Sequence, residues 1–136
     1  MTATNLAQVL DFPFSVISIP PQPDPERKPP SKRIYVCSPY RGNTAKNVAR
    51  AQVFCRCVYD KGFIPVAPHL YYPQFLDDKD PDERAAGMKY ARGEINRCKE
   101  LWVFGLNISD GMLEEIEYAK KRKIYVRWYN DNLEEI

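Results

Sequence analysis

Leu101-Trp102-Val103-Phe104 is an unbroken apolar run closed by Gly105, and a helical pattern opens shortly after it at Ser109. A short apolar run without alternation reads as a strand covered on both faces. Such a strand needs helices above and below it, so the run constrains the layers of the fold more than any other stretch does. Similar strand patterns recur on both sides of it. Arg33 to Ser38 reads as a strand centred on Ile34-Tyr35-Val36-Cys37, Phe63 to Ala67 as a second, Glu100 to Phe104 as the third, and Ile124 to Trp128 as a fourth.

The segments between them have helix start and stop signals. Asn43 can cap a helix running to about Lys61, with Val48, Ala51, Cys55 and Val58 on one face and Gly62 as its stop. Pro68 to Lys79 is a loop rich in aromatics. Asp80-Pro81-Asp82-Glu83 supplies an N-cap, a proline at the first helical position and a glutamate at the third. That helix carries Met88, Ala91, Ile95 and Cys98 inward. The helix from Ser109 ends near Lys120-Lys121-Arg122-Lys123, whose charge suits the negative end of the helix. Alternating strands and helices predict an α/β fold: a small Rossmann- or flavodoxin-like three-layer sandwich with a mainly parallel sheet of four to five strands.

Composition narrows the function classes. The net charge of +2 is too small to argue for a nucleic-acid polymer as partner. No apolar stretch approaches the length of a membrane span, and the N-terminus lacks the basic start of a signal peptide, so no membrane association is expected. Cys37, Cys55, Cys57 and Cys98 fit neither a redox pair nor a paired zinc knuckle. They read as free thiols in a reducing cytoplasmic setting. A metal site from Cys55, Cys57 and His69 is conceivable but disfavoured by spacing, and no cofactor or metal is expected.

Seven of the twelve prolines fall in the first thirty residues, which sets residues 1–31 apart as an extended arm or linker. Its apolar part, Leu6 to Ile19, can dock on its own domain or across a dimer. Residues 32–129 form the folded domain, and residues 130–136 an acidic tail.

One carboxylate is out of pattern. Met112, Ile116 and Ala119 form an apolar helical stripe from which Glu114 and Glu117 fall away, but Glu115 lies on its flank. Either Glu115 reaches solvent or a basic neighbour, or it is held against the sheet near the strand's C-terminal end, where ligands bind in open α/β sheets. The positive helix end would keep it ionised and burial would push the other way, and the sequence leaves the balance open.

Two turns face the same edge. Ser38-Pro39-Tyr40-Arg41-Gly42-Asn43 offers backbone N–H groups, a helix end and a guanidinium to an anion, without being a Walker loop or a dinucleotide fingerprint. Ser109 and Gly111 supply a hydroxyl and room for a ligand at the second turn. Glu94, on the flank of the second helix, either meets substrate or pairs with Arg92 or Arg97. His69 follows the second strand and either touches substrate or packs the loop, as do Tyr71, Tyr72 and Phe75.

The stretch from Ile34 to Gly42 resembles the opening strand and loop of the nucleoside 2-deoxyribosyltransferase superfamily. It is most similar to the branch of deoxynucleoside 5'-monophosphate N-glycosidases, whose opening runs Tyr-Phe-x-Gly-Ser-x-Arg-Gly. Ser109 to Ala119 resembles the superfamily's Ser-x-Gly-x-x-x-Glu-x-x-x-Ala signature, in register, with the glutamate on Glu115. The resemblance spans Arg33 to Trp128. It implies N-glycosidic bond cleavage or 2-deoxyribosyl transfer, with Glu115 as nucleophile and Tyr35 positioning it. It assigns Ser38, Arg41, Gly42, Ser109 and Gly111 to the phosphate-binding loops; His69 and Glu94 are candidate substrate contacts by their own positions and not by the resemblance. It implies a nucleoside or nucleotide as partner and a homodimer or higher oligomer.

Two departures stand out. Ser38-Pro39 replaces Gly-Ser, removing one backbone N–H from the turn. Arg92 and Glu94 stand nearest to where the superfamily has a sugar-holding aspartate. The rival reading is a non-catalytic module on the same fold that binds a nucleotide or nucleotide sugar, as a sensor or a phage or defence accessory.

Overall fold

A computed structural model describes residues 32–136. The arm expected at residues 1–31, with its proposed docking, lies outside the described residues. Four strands form one parallel sheet: β1 (Arg33–Cys37), β2 (Ile64–Val66), β3 (Glu100–Phe104) and β4 (Tyr125–Tyr129). Their order is β2-β1-β3-β4. Three helices connect them: α1 (Thr44–Asp60), α2 (Pro81–Asn96) and α3 (Asp110–Lys121). The chain leaves β1 toward β2 on one side and returns to β3 on the other. The turns after β1 and β3 therefore flank a topological switch point, where the ends of the strands leave a crevice.

Strand alternation divides the core into two layers. Ile34, Val36, Trp102 and Phe104 face α1, where they meet Phe54 and Val58. Tyr35, Cys37, Leu101 and Val103 face α2 and α3, where they meet Ile95, Met112, Ile116 and Ala119. The expected sandwich is present, with four strands.

The element boundaries follow the caps. Asn43 Oδ1 accepts the Lys46 N–H at 3.2 Å and opens α1. Gly62, at φ +91°, sits in the left-handed region just past the end of α1, where a β-carbon would be strained. Asp80 Oδ1 accepts the N–H groups of Asp82 and Glu83 and opens α2. Glu83, at the third helical position, does not close a capping box with Asp80: its Oε1 accepts the Asp77 N–H at 3.1 Å and fastens the preceding loop. Ser109 Oγ accepts the Met112 N–H at 3.3 Å and opens α3.

Several expectations are corrected. The buried face of α1 is Ala51, Phe54 and Val58, with Val48 and Cys55 half-buried. Phe54 takes the central position because its ring stacks on Phe104, with centroids 4.6 Å apart. Cys98 lies between α2 and β3 and not on the helix. Met88 and Ala91 are half-buried, because that part of α2 faces a cavity and not the sheet. β4 begins one residue later than expected and includes Tyr129. The acidic tail folds back: Glu135 pairs antiparallel with Tyr129, and its carboxylate accepts from Arg127 at 3.0 Å. The loop from Pro68 to Lys79 contains two short 3-10 turns, Pro68–Leu70 and Tyr72–Gln74.

Candidate active site

The crevice at the C-terminal ends of β1, β2 and β3 holds a cavity of about 400 Å³. Its walls come from the turns after β1 and β3, the loop after β2, and the exposed flank of α2. Tyr35, Ser38, Arg41, His69, Ser109, Gly111 and Glu115 all line it. Residues separated by up to 80 positions in the chain are thus gathered at one sheet edge.

Glu115 is half-buried on the flank of a helix whose Met112, Ile116 and Ala119 are buried. The helix packs on the face that carries Tyr35 and Cys37, so the flanking carboxylate is delivered to those two side chains. Side-chain hydrogen bonds from Tyr35 and Cys37 favour the carboxylate. Burial works against it more strongly, with a smaller contribution from the neighbouring charge of Glu114, and Glu115 is pushed up to about 7. The balance left open by the sequence thus falls to burial. Burial, and the nearby Glu115 charge, also raise the Tyr35 phenol and the Cys37 thiol well above their ordinary values. Both remain protonated donors at neutral pH. The Cys37 thiol also lies 3.8 Å from the Met112 carbonyl oxygen, so its single proton has two acceptors to choose from.

The first turn is more occupied than its sequence suggests. Ser38, almost fully buried, shares a hydrogen bond of 2.9 Å between its Oγ and His69 Nε2. Burial pushes His69 down to about 4, so its imidazole is neutral at physiological pH. Arg41 Nε donates to Asp78 Oδ2 at 2.5 Å, and Arg84 approaches the same carboxylate at 3.3 Å. The guanidinium expected to await an anion therefore already holds one from the chain itself. Gly42, at φ +97°, makes the turn possible but lies off the main cavity, in a neighbouring groove with Tyr40, Arg41 and Asp78.

The second turn keeps its expected geometry. Ser109 Oγ is engaged as a cap. Gly111 lines the cavity with open space where a β-carbon would stand. Asp110 and Glu114 also line this wall, giving the α3 side of the cavity three carboxylates. The opposite wall carries Arg84 and Arg92 from α2.

Glu94 does not join the cavity lining. It lies 3.5 Å from Arg97, the pairing that its helical spacing allowed. Tyr72 lines the cavity and packs on Tyr90, whereas Tyr71 and Phe75 are exposed away from it. Among the described residues no group of three His, Cys, Asp or Glu side chains is arranged to hold a metal, so Cys55, Cys57 and His69 do not converge. No helix among them is long and apolar enough to cross a membrane.

Cys37, Asp78, Arg84 and Glu114 were not singled out from the sequence. The signal for Cys37 was available: strand alternation places it on the same face as Tyr35. Asp78 and Arg84 had no such signal, since their meeting with Arg41 depends on how the loop after β2 folds.

Residues 32–129 match the model of DUF7768, a domain of unknown function, and the chain belongs to that family. No curated protein matches the sequence. A solved 2-deoxyribosyltransferase from the psychrotolerant bacterium Bacillus psychrosaccharolyticus is similar in structure, with a TM-score of 0.57 over 72% of each chain. The two are 19% identical in sequence, a likeness of fold.

Proposed function

We propose that this DUF7768 member cleaves the N-glycosidic bond of a nucleoside or nucleotide, or transfers its 2-deoxyribosyl group, with Glu115 as nucleophile. The observation that carries the reading is the delivery of Glu115 to the Tyr35 and Cys37 donors inside a cavity at the sheet's switch point. The fold shared with a 2-deoxyribosyltransferase supports it, as do the in-register motifs at Ile34–Gly42 and Ser109–Ala119.

In the proposed reaction a Glu115 oxygen attacks C1' as the C1'–N bond breaks, and the bonding electron pair leaves with the nucleobase. A glycosyl ester on Glu115 results. Water or the N–H of a second base then attacks C1', breaks the ester and restores the carboxylate, with net retention at C1'; the proton it sheds balances the one taken up by the departing base. Tyr35 orients the attacking oxygen. Ser38, Arg41, Ser109 and Gly111 hold the substrate, and His69 acts as a neutral hydrogen-bonding partner. A homo-oligomeric assembly and a cytoplasmic setting belong to the same proposal.

The test is base release from deoxynucleosides and deoxynucleotides by the parent chain and by Glu115→Gln. Release by the parent and its loss in the variant supports the reading, whereas equal turnover by both sinks the nucleophile assignment. The raising of Glu115 to about 7 leaves much of it protonated near neutral pH and favours the rival, a binding module without turnover. Under that reading nucleotides raise the melting temperature and are recovered unchanged.

A further inference from the structure

Arg41 and Arg84 come from different walls of the cavity and converge on one carboxylate, that of Asp78. Arg41 Nε lies 2.5 Å from Asp78 Oδ2, and its Nη2 donates to the Asp78 carbonyl oxygen at 3.2 Å. Arg84 Nη1 lies 3.3 and 3.4 Å from the two carboxylate oxygens. We propose that Asp78 is an internal stand-in for the anionic group of the ligand, and that a phosphate monoester displaces it from Arg41 and Arg84. The inference rests on the reading of the cavity as a nucleotide site.

Three features support displacement. The Arg84, Asp78 and Arg41 side chains are 31%, 36% and 58% exposed, so water screens their pairing and little is lost when it breaks. The Arg84 contacts are long for a charge-assisted bond, leaving room for a better partner. The loop is also fastened on both sides of Asp78 without using its side chain. The Asp77 N–H donates to Glu83, the Asp77 carboxylate accepts the Lys79 N–H, and the Asp80 N–H donates to the Asp77 carbonyl oxygen. The Asp78 carboxylate can therefore swing out while its backbone stays in place.

Displacement also selects among ligands. Asp78 carries one negative charge and two acceptor oxygens. A phosphate monoester near neutral pH carries close to two charges and three oxygens, and so outcompetes it on two guanidinium forks. A phosphodiester or a carboxylate brings no more charge than Asp78, and a free nucleoside brings none. The arrangement favours a 5'- or 3'-monophosphate over all three.

The experiment is calorimetric titration of the full chain with inorganic phosphate, a deoxynucleoside 5'-monophosphate and the matching deoxynucleoside, at fixed ionic strength. Asp78→Asn is expected to bind phosphate and the monophosphate on the order of 3- to 10-fold more tightly, with no change for the nucleoside. Arg84→Gln is expected to weaken both phosphate ligands by a similar factor. Unchanged or weaker phosphate binding by Asp78→Asn at an unaltered melting temperature overturns the proposal. So does indifference of phosphate binding to Arg84→Gln, or an equal gain for the nucleoside. The readout is binding and not turnover. A chain that binds phosphate in this pattern but releases no base would defeat the proposed reaction and leave this inference standing. Base release from nucleosides without any phosphate binding would do the reverse.

Discussion

Ser38 Oγ and His69 Nε2 lie 2.9 Å apart at the C-terminal edge of the sheet, joining the turn after β1 to the loop after β2. Burial holds this imidazole at about 4, below its ordinary value. Glu115 in the same cavity is held at about 7, above its ordinary value. The native state therefore resists protonation at His69 and resists deprotonation at Glu115. The His69 contribution is complete above the ordinary imidazole value near 6.5 and is lost as pH falls toward 4. The Glu115 contribution is complete below the ordinary carboxyl value near 4.5 and is lost as pH rises through 7. Between pH 5 and 7 the two slopes oppose each other.

Separating the two slopes is the first prediction. His69→Gln keeps a hydrogen-bonding partner for Ser38 and leaves Glu115 as the main titrating group of the cavity. Its melting temperature is expected to rise on going from pH 7 to pH 5. Glu115→Gln is expected to do the opposite over the same interval. Each isolated contribution is on the order of 2 kcal/mol. Thermal melts of the parent and both variants across this range provide the check. Parallel curves for all three proteins would show that these groups do not set the pH response.

A second prediction joins stability to activity. Above pH 7 the native state must hold Glu115 as a partly desolvated carboxylate. Glu115→Gln removes that cost and is expected to stabilise the fold at pH 8 by on the order of 2 kcal/mol. The same variant is expected to lose base release by roughly 10³-fold or more if Glu115 is the nucleophile. Denaturant midpoints and product analysis on one preparation give both numbers. A variant that is less stable and fully active contradicts both halves.

Tyr35→Phe provides the third. The phenol donates to the Glu115 carboxylate and thereby holds its pKa down. Without that donor Glu115 titrates higher, and the acid limb of kcat/KM moves to higher pH. At pH 6 the rate is expected to fall more than at pH 9, where the carboxylate is ionised in either protein. Loss of the buried hydrogen bond costs about 1 kcal/mol of stability. A uniform drop in rate at every pH would assign Tyr35 a packing role only.

The layers of this fold were legible because strand and helix periodicity are local properties. Ile34–Cys37 and Leu101–Phe104 announced themselves as covered strands, and Met112, Ile116 and Ala119 as a buried helical stripe. Glu115 was legible for the same reason, as an exception to that stripe. The state of Arg41 was not, since the guanidinium belongs to the first turn and its partner Asp78 to a loop 37 residues away. A helical wheel does not report such a meeting. Nor did it fix the charge state of Glu115, which depends on how much water the assembled cavity excludes.

Phe54 shows the same limit inside the core. Helical spacing favoured the Val48, Ala51, Cys55 and Val58 face, which shares Ala51 and Val58 with the observed one but puts Cys55 where Phe54 is buried. The choice was decided by the partner: Phe104 projects from β3 toward α1, and the Phe54 ring stacks on it at 4.6 Å with an interplanar angle of 10°. The Arg50 guanidinium also lies 5.7 Å from the Phe54 ring centroid. Phe54→Ala is therefore expected to cost about 3–5 kcal/mol, because it opens a cavity against Phe104 in a close-packed layer. Cys55→Ala, at a half-buried flank, is expected to cost less than about 1 kcal/mol. Urea midpoints of the two variants measure the difference directly. Equal costs would mean that α1 packs on the sheet through the Cys55 side, and the stacking on Phe104 would not be its anchor.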